Sequence, residues 1–269
     1  MDTEELNRFQ DLSDAYVPQI SGPFVGPRTS TEVLRQQFTG DSIYEEKFSA
    51  LLRSHPQCRC IKGDGDCGWR AIAFAYFETL LRLGDLARVE AEKQRFRSMC
   101  SILDQTGRNY ILYEMFLEAC EEAFDKVKET IESEKPNNDS KLEEIFNDEH
   151  ESLCIITHFR LLTGSWLLLH QEAYEAFLST SVSEYVGSTV DVVKAQIDEI
   201  GLQALLDGVI KESGFGVDIL YIDRSDGAEA TRHHKLEPKE GNPVITLLYR
   251  PGHYDILYES EIAEVDAQN

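Results

Sequence analysis

The run from Ala71 to Leu83 constrains this chain more than any other segment. Ala71, Ile72, Ala73, Phe74, Ala75, Tyr76, Phe77, Leu80, Leu81 and Leu83 leave almost no polar side to a helix drawn through them. A surface helix keeps one apolar stripe, whereas a helix that is apolar all round has to be enclosed by other elements. Gly63-Asp64-Gly65-Asp66 stands just before it, so the pattern predicts a tight turn, then a helix that starts at Cys67 and runs inward. The remaining chain must supply the enclosure, and 269 residues with 42% hydrophobic content suffice for that.

Elsewhere the periodicity divides the chain. Residues 1–30 carry Pro18, Pro23 and Pro27 with Gly22 and Gly26, which reads as a mobile arm. Tyr44, Phe48, Leu51 and Leu52 recur at helical spacing with Glu45, Glu46 and Lys47 between them, as in a surface helix over a core. Helical patterns fill 86–134, 150–163, 170–179 and 189–213. The turn-rich segment at 135–140 interrupts them, and its acidic surroundings, such as Glu132, Glu143, Asp148 and Glu151, read as a solvated loop and helix face. The last quarter changes character: Val217–Ile222, Val244–Tyr249 and Tyr254–Tyr258 are short, β-rich runs. Arg250-Pro251-Gly252-His253 is short enough to join the last two as an antiparallel hairpin. The expected fold class is α+β, a helical body packed on a small C-terminal sheet.

Charge and cysteine usage narrow the functional classes. With 26 basic against 49 acidic residues the net charge is −23, which repels phosphate backbones and anionic membrane surfaces. Nucleic acid and membrane are therefore not expected as partners. The N-terminus, Met1-Asp2-Thr3-Glu4-Glu5, has no basic flank or apolar stretch, and the six cysteines form no regular disulfide framework. These features read as a cytoplasmic protein with reduced thiols, which the nucleus would equally accommodate. Cys58-x-Cys60 and His233-His234 do not make the two matching pairs that structural zinc requires, so a zinc site is not expected.

Two segments carry chemistry. Gly63 and Gly65 lack Cβ, so the backbone can turn its amides toward one point and form an oxyanion hole, each donor contributing roughly 3–4 kcal/mol to a transition state. Cys67 follows at the start of the apolar helix, whose N-terminus favours a negative charge there by up to about 2 kcal/mol. A thiolate nucleophile also needs a cationic neighbour, and His253 is the candidate. It opens a strand with Asp255 two residues on, so both side chains share one face and the carboxylate can fix the imidazole. Each segment alone reads as an ordinary surface turn or a packed pair. Together they supply a nucleophile and its base.

At these residues the sequence resembles the otubain branch of the ovarian-tumour family of deubiquitinating cysteine proteases. Gly63-Asp64-Gly65-Asp66-Cys67-Gly68-Trp69-Arg70-Ala71 is similar to that family's Asp-Gly-Asn-Cys-Phe-Tyr-Arg-Ala, and Leu248-Tyr249-Arg250-Pro251-Gly252-His253-Tyr254-Asp255-Ile256-Leu257-Tyr258 matches the otubain ending almost letter for letter. Weaker echoes lie at Ile43-Tyr44-Glu45-Glu46-Lys47 and Arg160-Leu161-Leu162-Thr163. The resemblance implies a papain-like fold, with residues 31–260 as the catalytic domain and 261–269 as a tail. It makes Cys67 the nucleophile, His253 the general base and acid, and Asp255 its orienting partner. Asp64 is implied as an active-site loop residue, and the backbone amides of Asp64, Gly65 and Cys67 as the oxyanion hole. The resemblance implies no metal or organic cofactor.

The implied substrate is the isopeptide bond between the C-terminal glycine of ubiquitin and a lysine, with ubiquitin and polyubiquitin chains as partners of a monomer. In some members the N-terminal arm contacts a second ubiquitin or a ubiquitin-conjugating enzyme. Asp66, Gly68 and Trp69 depart from the family's Asn, Phe and Tyr, and the wall beside the nucleophile is where they are expected to set linkage preference. Two other readings compete: a regulator that grips ubiquitin or a conjugating enzyme without cutting, and a protease for a ubiquitin-like modifier.

Overall fold

The computed structural model describes residues 22–133, 138–225 and 227–260. Strand β1 (Thr29–Ser30) leads into helices α1 (Glu32–Gln36) and α2 (Ser42–Ser54), strand β2 (Gln57–Arg59) and the apolar helix α3 (Cys67–Leu83). Helices α4 (Leu86–Gln105), α5 (Tyr110–Ile131), α6 (Ser140–Asn147) and α7 (Glu149–Leu169) follow. Short helical turns lead to α8 (Glu199–Leu205), then β3 (Gly216–Tyr221), β4 (Thr231–Leu236), β5 (Val244–Arg250) and β6 (His253–Tyr258).

Helix α3 is the hub. Every residue from Cys67 to Glu78 is buried, and the helix packs against α5, α7, β5 and β6, which is the enclosure its sequence demands. The rings of Tyr76, Phe77, Phe96, Phe124 and Phe159 interlock at its centre, with centroids 4.8 Å apart for Phe77 and Phe124. Helix ends are marked by residues suited to them. Gly84 closes α3 in the left-handed conformation (φ 65°), while Asp85, Asn109 and Asp148 accept backbone N–H bonds at the starts of α4, α5 and α7. Helix α7 is long and apolar enough to cross a membrane by composition, but 67% of its most apolar stretch is buried inside the protein, as befits a core helix.

The sheet has six strands in the order β1-β2-β6-β5-β3-β4, antiparallel except for the parallel pair β3 and β5. Its two faces bury different partners. Ile245, Leu247, Tyr254, Ile256 and Tyr258 pack into the main core with the helical body, whereas Cys58, Leu220, Leu248 and Leu257 pack with Tyr44, Phe48 and Leu51 of α2. His253 and Asp255 alternate with the first group along β6 and so share the face of Leu257.

Several expectations change. Residues 1–21 and 261–269 lie outside the described residues, but the end of the expected arm is anchored to the sheet: Val25 is buried and bridges to Ile61, and β1 pairs with β2. Proline and glycine disfavour helix there but leave an edge strand open. The acidic segment after 138 is not merely solvated, because Asp139 and Glu143 pair with the buried guanidinium of Arg59, which also bonds Glu78. The stretch 191–198 is a loop rather than helix, and β1, β2 and β4 join the three expected strands.

Candidate active site

The turn before α3 is built by its own side chains. Asp64 Oδ1 accepts from the Asp66 backbone N–H (3.0 Å) and from Arg70 Nη1 (2.9 Å), so the loop is tied to the first turn of the helix it introduces. Burial alone would raise the Asp64 carboxyl, but Arg70 and the backbone N–H outweigh it and hold it below the usual carboxylate range. Gly65 sits at φ +91°, and a Cβ there would collide with the carbonyl oxygen of Lys194, so this position admits only glycine on both counts. Cys67 then begins α3, only 2% exposed, at the end where the helix dipole is positive.

His253 opens β6 directly after the turn at Gly252 (φ +72°). Its Nε2 donates to Asp255 Oδ1 at 3.0 Å, as the two-residue strand period requires. The other nitrogen, Nδ1, is buried without a hydrogen bond of ordinary geometry, yet Cys67 is near enough to act on the ring. Burial would depress the imidazole; the charge and hydrogen bond of Asp255, joined by Cys67, override it and raise its pKa to about 9. The ring therefore carries its proton at neutral pH, facing the sulfur of a cysteine at a helix N-terminus.

Asp255 is fully buried and fully bonded. Its Oδ1 also accepts from the Ile61 backbone N–H (2.9 Å), and its Oδ2 accepts from Arg250 Nη2 (2.5 Å). Burial would raise this carboxyl, but the charges of Arg250 and His253 prevail and hold it at about 2. Arg250 is itself held by Gln37 Oε1 at 3.0 Å. Arg250, Ile61 and Gln37 were not singled out from sequence. Arg250 alone had a signal, since it stands inside the segment that carries the otubain resemblance.

A cleft of about 330 Å³ opens onto Cys67. Residues 196–199 form one wall and Tyr221, Tyr249 and Tyr254 the other, with Gly252 at the end. The walls close in beside the nucleophile: a Cβ on Gly68 would collide with Ile197 and lie 2.9 Å from Tyr254 Cδ2, and Gln196 Nε2 bonds Gly252 O at 3.1 Å. Such a channel suits a chain with little side-chain bulk near the scissile bond. Asp66 and Trp69 do not form the wall expected of them. Both are buried, facing Arg160, whose guanidinium lies 4.5 Å from the Trp69 ring centre and 2.5 Å from Asp66 Oδ1. Gly68, by contrast, packs directly against Ile197 and Tyr254 of the cleft lining.

The remaining polar candidates are scattered. Cys58 lies in the packed face against α2, His234 on β4 bonds Asp218 on β3, and among the described residues no three His, Cys, Asp or Glu side chains converge as metal ligands. The geometry thus brings together Cys67, His253, Asp255 and Asp64, from two segments almost 190 residues apart, as a cysteine-protease constellation.

Comparison with known proteins agrees. The chain is 28% identical to the human ubiquitin thioesterase OTUB1 over 243 residues, covering 89% of this chain and 84% of that protein. It is 28% identical over 283 residues to the Arabidopsis thaliana ovarian tumor domain-containing deubiquitinating enzyme 1, covering 97% and 88%. Among solved structures it is similar to ceOTUB1 in a complex with ubiquitin aldehyde and UBC13~Ub, at a TM-score of 0.77 and 25% identity, covering 96% of this chain and all of that one. A hybrid h/ceOTUB1 in a ubiquitin aldehyde and UBC13~Ub complex gives 0.78 and 25%, covering 96% and 98%. The model of the otubain peptidase family, peptidase C65, matches residues 18–259, and the chain belongs to that family.

Proposed function

We propose that this protein is a deubiquitinating cysteine protease that hydrolyses ubiquitin–lysine isopeptide bonds through Cys67, His253 and Asp255. One observation carries the reading: a buried imidazolium, held between a carboxylate and a cysteine at a helix N-terminus, with that cysteine lining an open cleft. The relatives' activity, ubiquitin thioesterase, supplies the substrate class.

In this reading Cys67 reacts as the thiolate of a thiolate–imidazolium pair with His253: its Sγ attacks the carbonyl of the terminal glycine, and the backbone amides of Asp64, Gly65 and Cys67 take the developing oxyanion. His253 protonates the departing lysine amine, leaving a thioester. Water, deprotonated by His253, then adds to the thioester and releases ubiquitin and the thiol. Asp255, itself held by Arg250, keeps the ring oriented as it gives up the proton in the first step and regains one in the second. The narrowing at Ile197 and Tyr254 favours glycine beside the scissile bond, which suits the ubiquitin terminus.

A conjugating enzyme is a second proposed partner, because similar otubain structures hold UBC13 charged with ubiquitin. The six cysteines, all free thiols, suit a reducing compartment such as the cytoplasm or nucleus. Incubation with a panel of di-ubiquitins of each linkage tests the reading. Wild-type protein should cleave at least one, and Cys67→Ala should cleave none while keeping its melting temperature; cleavage by the alanine variant would refute it.

A further inference from the structure

The loop that carries one wall of the cleft is held from inside by a buried ion pair. Arg160, on α7, is 1% exposed and spends its guanidinium on three acceptors: Val190 O (2.9 Å), Ala195 O (2.6 Å) and Asp66 Oδ1 (2.5 Å). The same Asp66 oxygen accepts from the Lys194 backbone N–H at 3.1 Å. Asp66 is thus bonded to both ends of a short bracket whose other side is the peptide chain of 190–195. Lys194 is the one non-glycine residue with positive φ (63°) among those described, and its carbonyl rests on Gly65. An uncommon backbone conformation at a functional cleft persists only when its surroundings impose it, and here Asp66, Arg160 and Gly65 do so. Farther out, Arg108 clamps Asp191 with Nη2 at 3.0 and 2.9 Å from its two carboxylate oxygens.

The residues next along the chain, Gln196 and Ile197, are cleft wall, and the residue after Asp66 is the nucleophile. We propose that Asp66 and Arg160 are positioning residues that lock the oxyanion loop at 64–66 to the cleft wall at 194–197, setting the distance between the amides that receive the oxyanion and the wall that receives the substrate chain. This inference rests on the proposed protease reading. It gives Asp66 a function through two hydrogen bonds, neither of which reaches Cys67 or His253. The substituent that matters is the acceptor oxygen, which asparagine would retain at the same place.

The test separates thiol chemistry from substrate positioning. Alkylation of Cys67 by chloroacetamide needs an activated thiol but neither an oxyanion hole nor a wall, whereas cleavage of di-ubiquitin needs all three. Asp66→Ala should lower kcat/KM for di-ubiquitin by at least about tenfold while the alkylation rate at Cys67, read by mass spectrometry, stays within about twofold. Asp66→Asn should recover most of that loss. If Asp66→Ala fails to fold, seen as alkylation spreading to the other cysteines, Asp66→Ser leaves room for a water beside Arg160 and should give the same split. Equal kcat/KM in alanine or serine variant and wild type would overturn the proposal, as would a parallel fall in alkylation, or an asparagine variant no better than alanine. Wild-type protein that alkylates but cleaves no di-ubiquitin would refute the protease reading instead.

Discussion

Two buried aspartate–arginine pairs flank the proposed nucleophile, Cys67, and they do different work. Asp255 pairs with Arg250 and also bonds His253, so its negative charge reaches the titrating group of the site and helps raise that imidazole to about 9. The Asp66 carboxylate pairs with Arg160 and accepts besides from the Lys194 backbone N–H. The first pair transmits charge and the second transmits position. Burying an ion pair costs several kcal/mol per ion in desolvation, so neither is explained by stability alone. Their chemistry is alike; the neighbour that each aspartate touches makes the difference.

The same substitution at both sites breaks or sharpens this contrast. Asp255→Asn removes the charge that fixes and ionises His253, and should lower kcat/KM for di-ubiquitin by roughly a thousandfold or more. Asp66→Asn keeps the acceptor and should stay far closer to wild type. Steady-state kinetics on the two variants decide it, and comparable losses would show that the pairs are not distinct in kind.

The acid side of the stability curve gives the next effect. Asp255 is held at about 2 against an ordinary value of 3.8, so its contribution is present above about pH 4 and is lost as pH falls through 2. The size is about 2 kcal/mol, and urea titrations of wild type and Asp255→Asn should converge as pH falls through that window. His253 has the opposite sign. Its folded pKa, about 9, lies above the ordinary 6.5, so its contribution is whole below about 6.5 and is lost as pH rises through 9.

Catalysis should follow the same imidazolium. Above about pH 9, kcat/KM should decline by roughly tenfold per pH unit as His253 loses its proton, and the midpoint should move to lower pH in Asp255→Asn. An alkaline limb unchanged by that substitution would sever His253 from Asp255. The smallest effect belongs to the wall. Gly68→Ala places a methyl against Ile197 and Tyr254 and should raise KM several-fold, by about 1 kcal/mol, with alkylation of Cys67 little changed.

The two pairs also mark what a linear reading can reach. Cys67, His253 and Asp255 were legible because local patterns define them: a glycine turn entering an apolar helix, and two residues on one strand face. Arg250 lay within reach, five residues before Asp255 in the same hairpin. Arg160 stood in one of the weaker echoes of the resemblance, but its role was not legible, because its partner is 94 residues away and nothing in the pattern of α7 shows that one guanidinium turns inward toward a loop. The helical pattern read through 189–198 hid the wall for a related reason: the bonds from Arg160 and Asp66 hold that backbone where local propensity does not. Strand β4, with exposed Thr231, Arg232, His233 and His234, lacked the apolar alternation that reveals a strand, and pairing with β3 supplies its order. Residues 22–30 were read as an arm because proline and glycine dominate them, while the burial of Val25 depends on a bridge to the distant Ile61 and on a core built elsewhere in the chain.

The central claim is that the cleft delivers a ubiquitin terminus to Cys67. Ubiquitin carrying a C-terminal electrophile, incubated with wild-type protein at pH 7, tests it by intact mass and peptide mapping. The account expects one ubiquitin added per chain, attached at Cys67, and no adduct on Cys67→Ala. Absence of an adduct on wild-type protein, or its attachment to any of the other five cysteines, would contradict it.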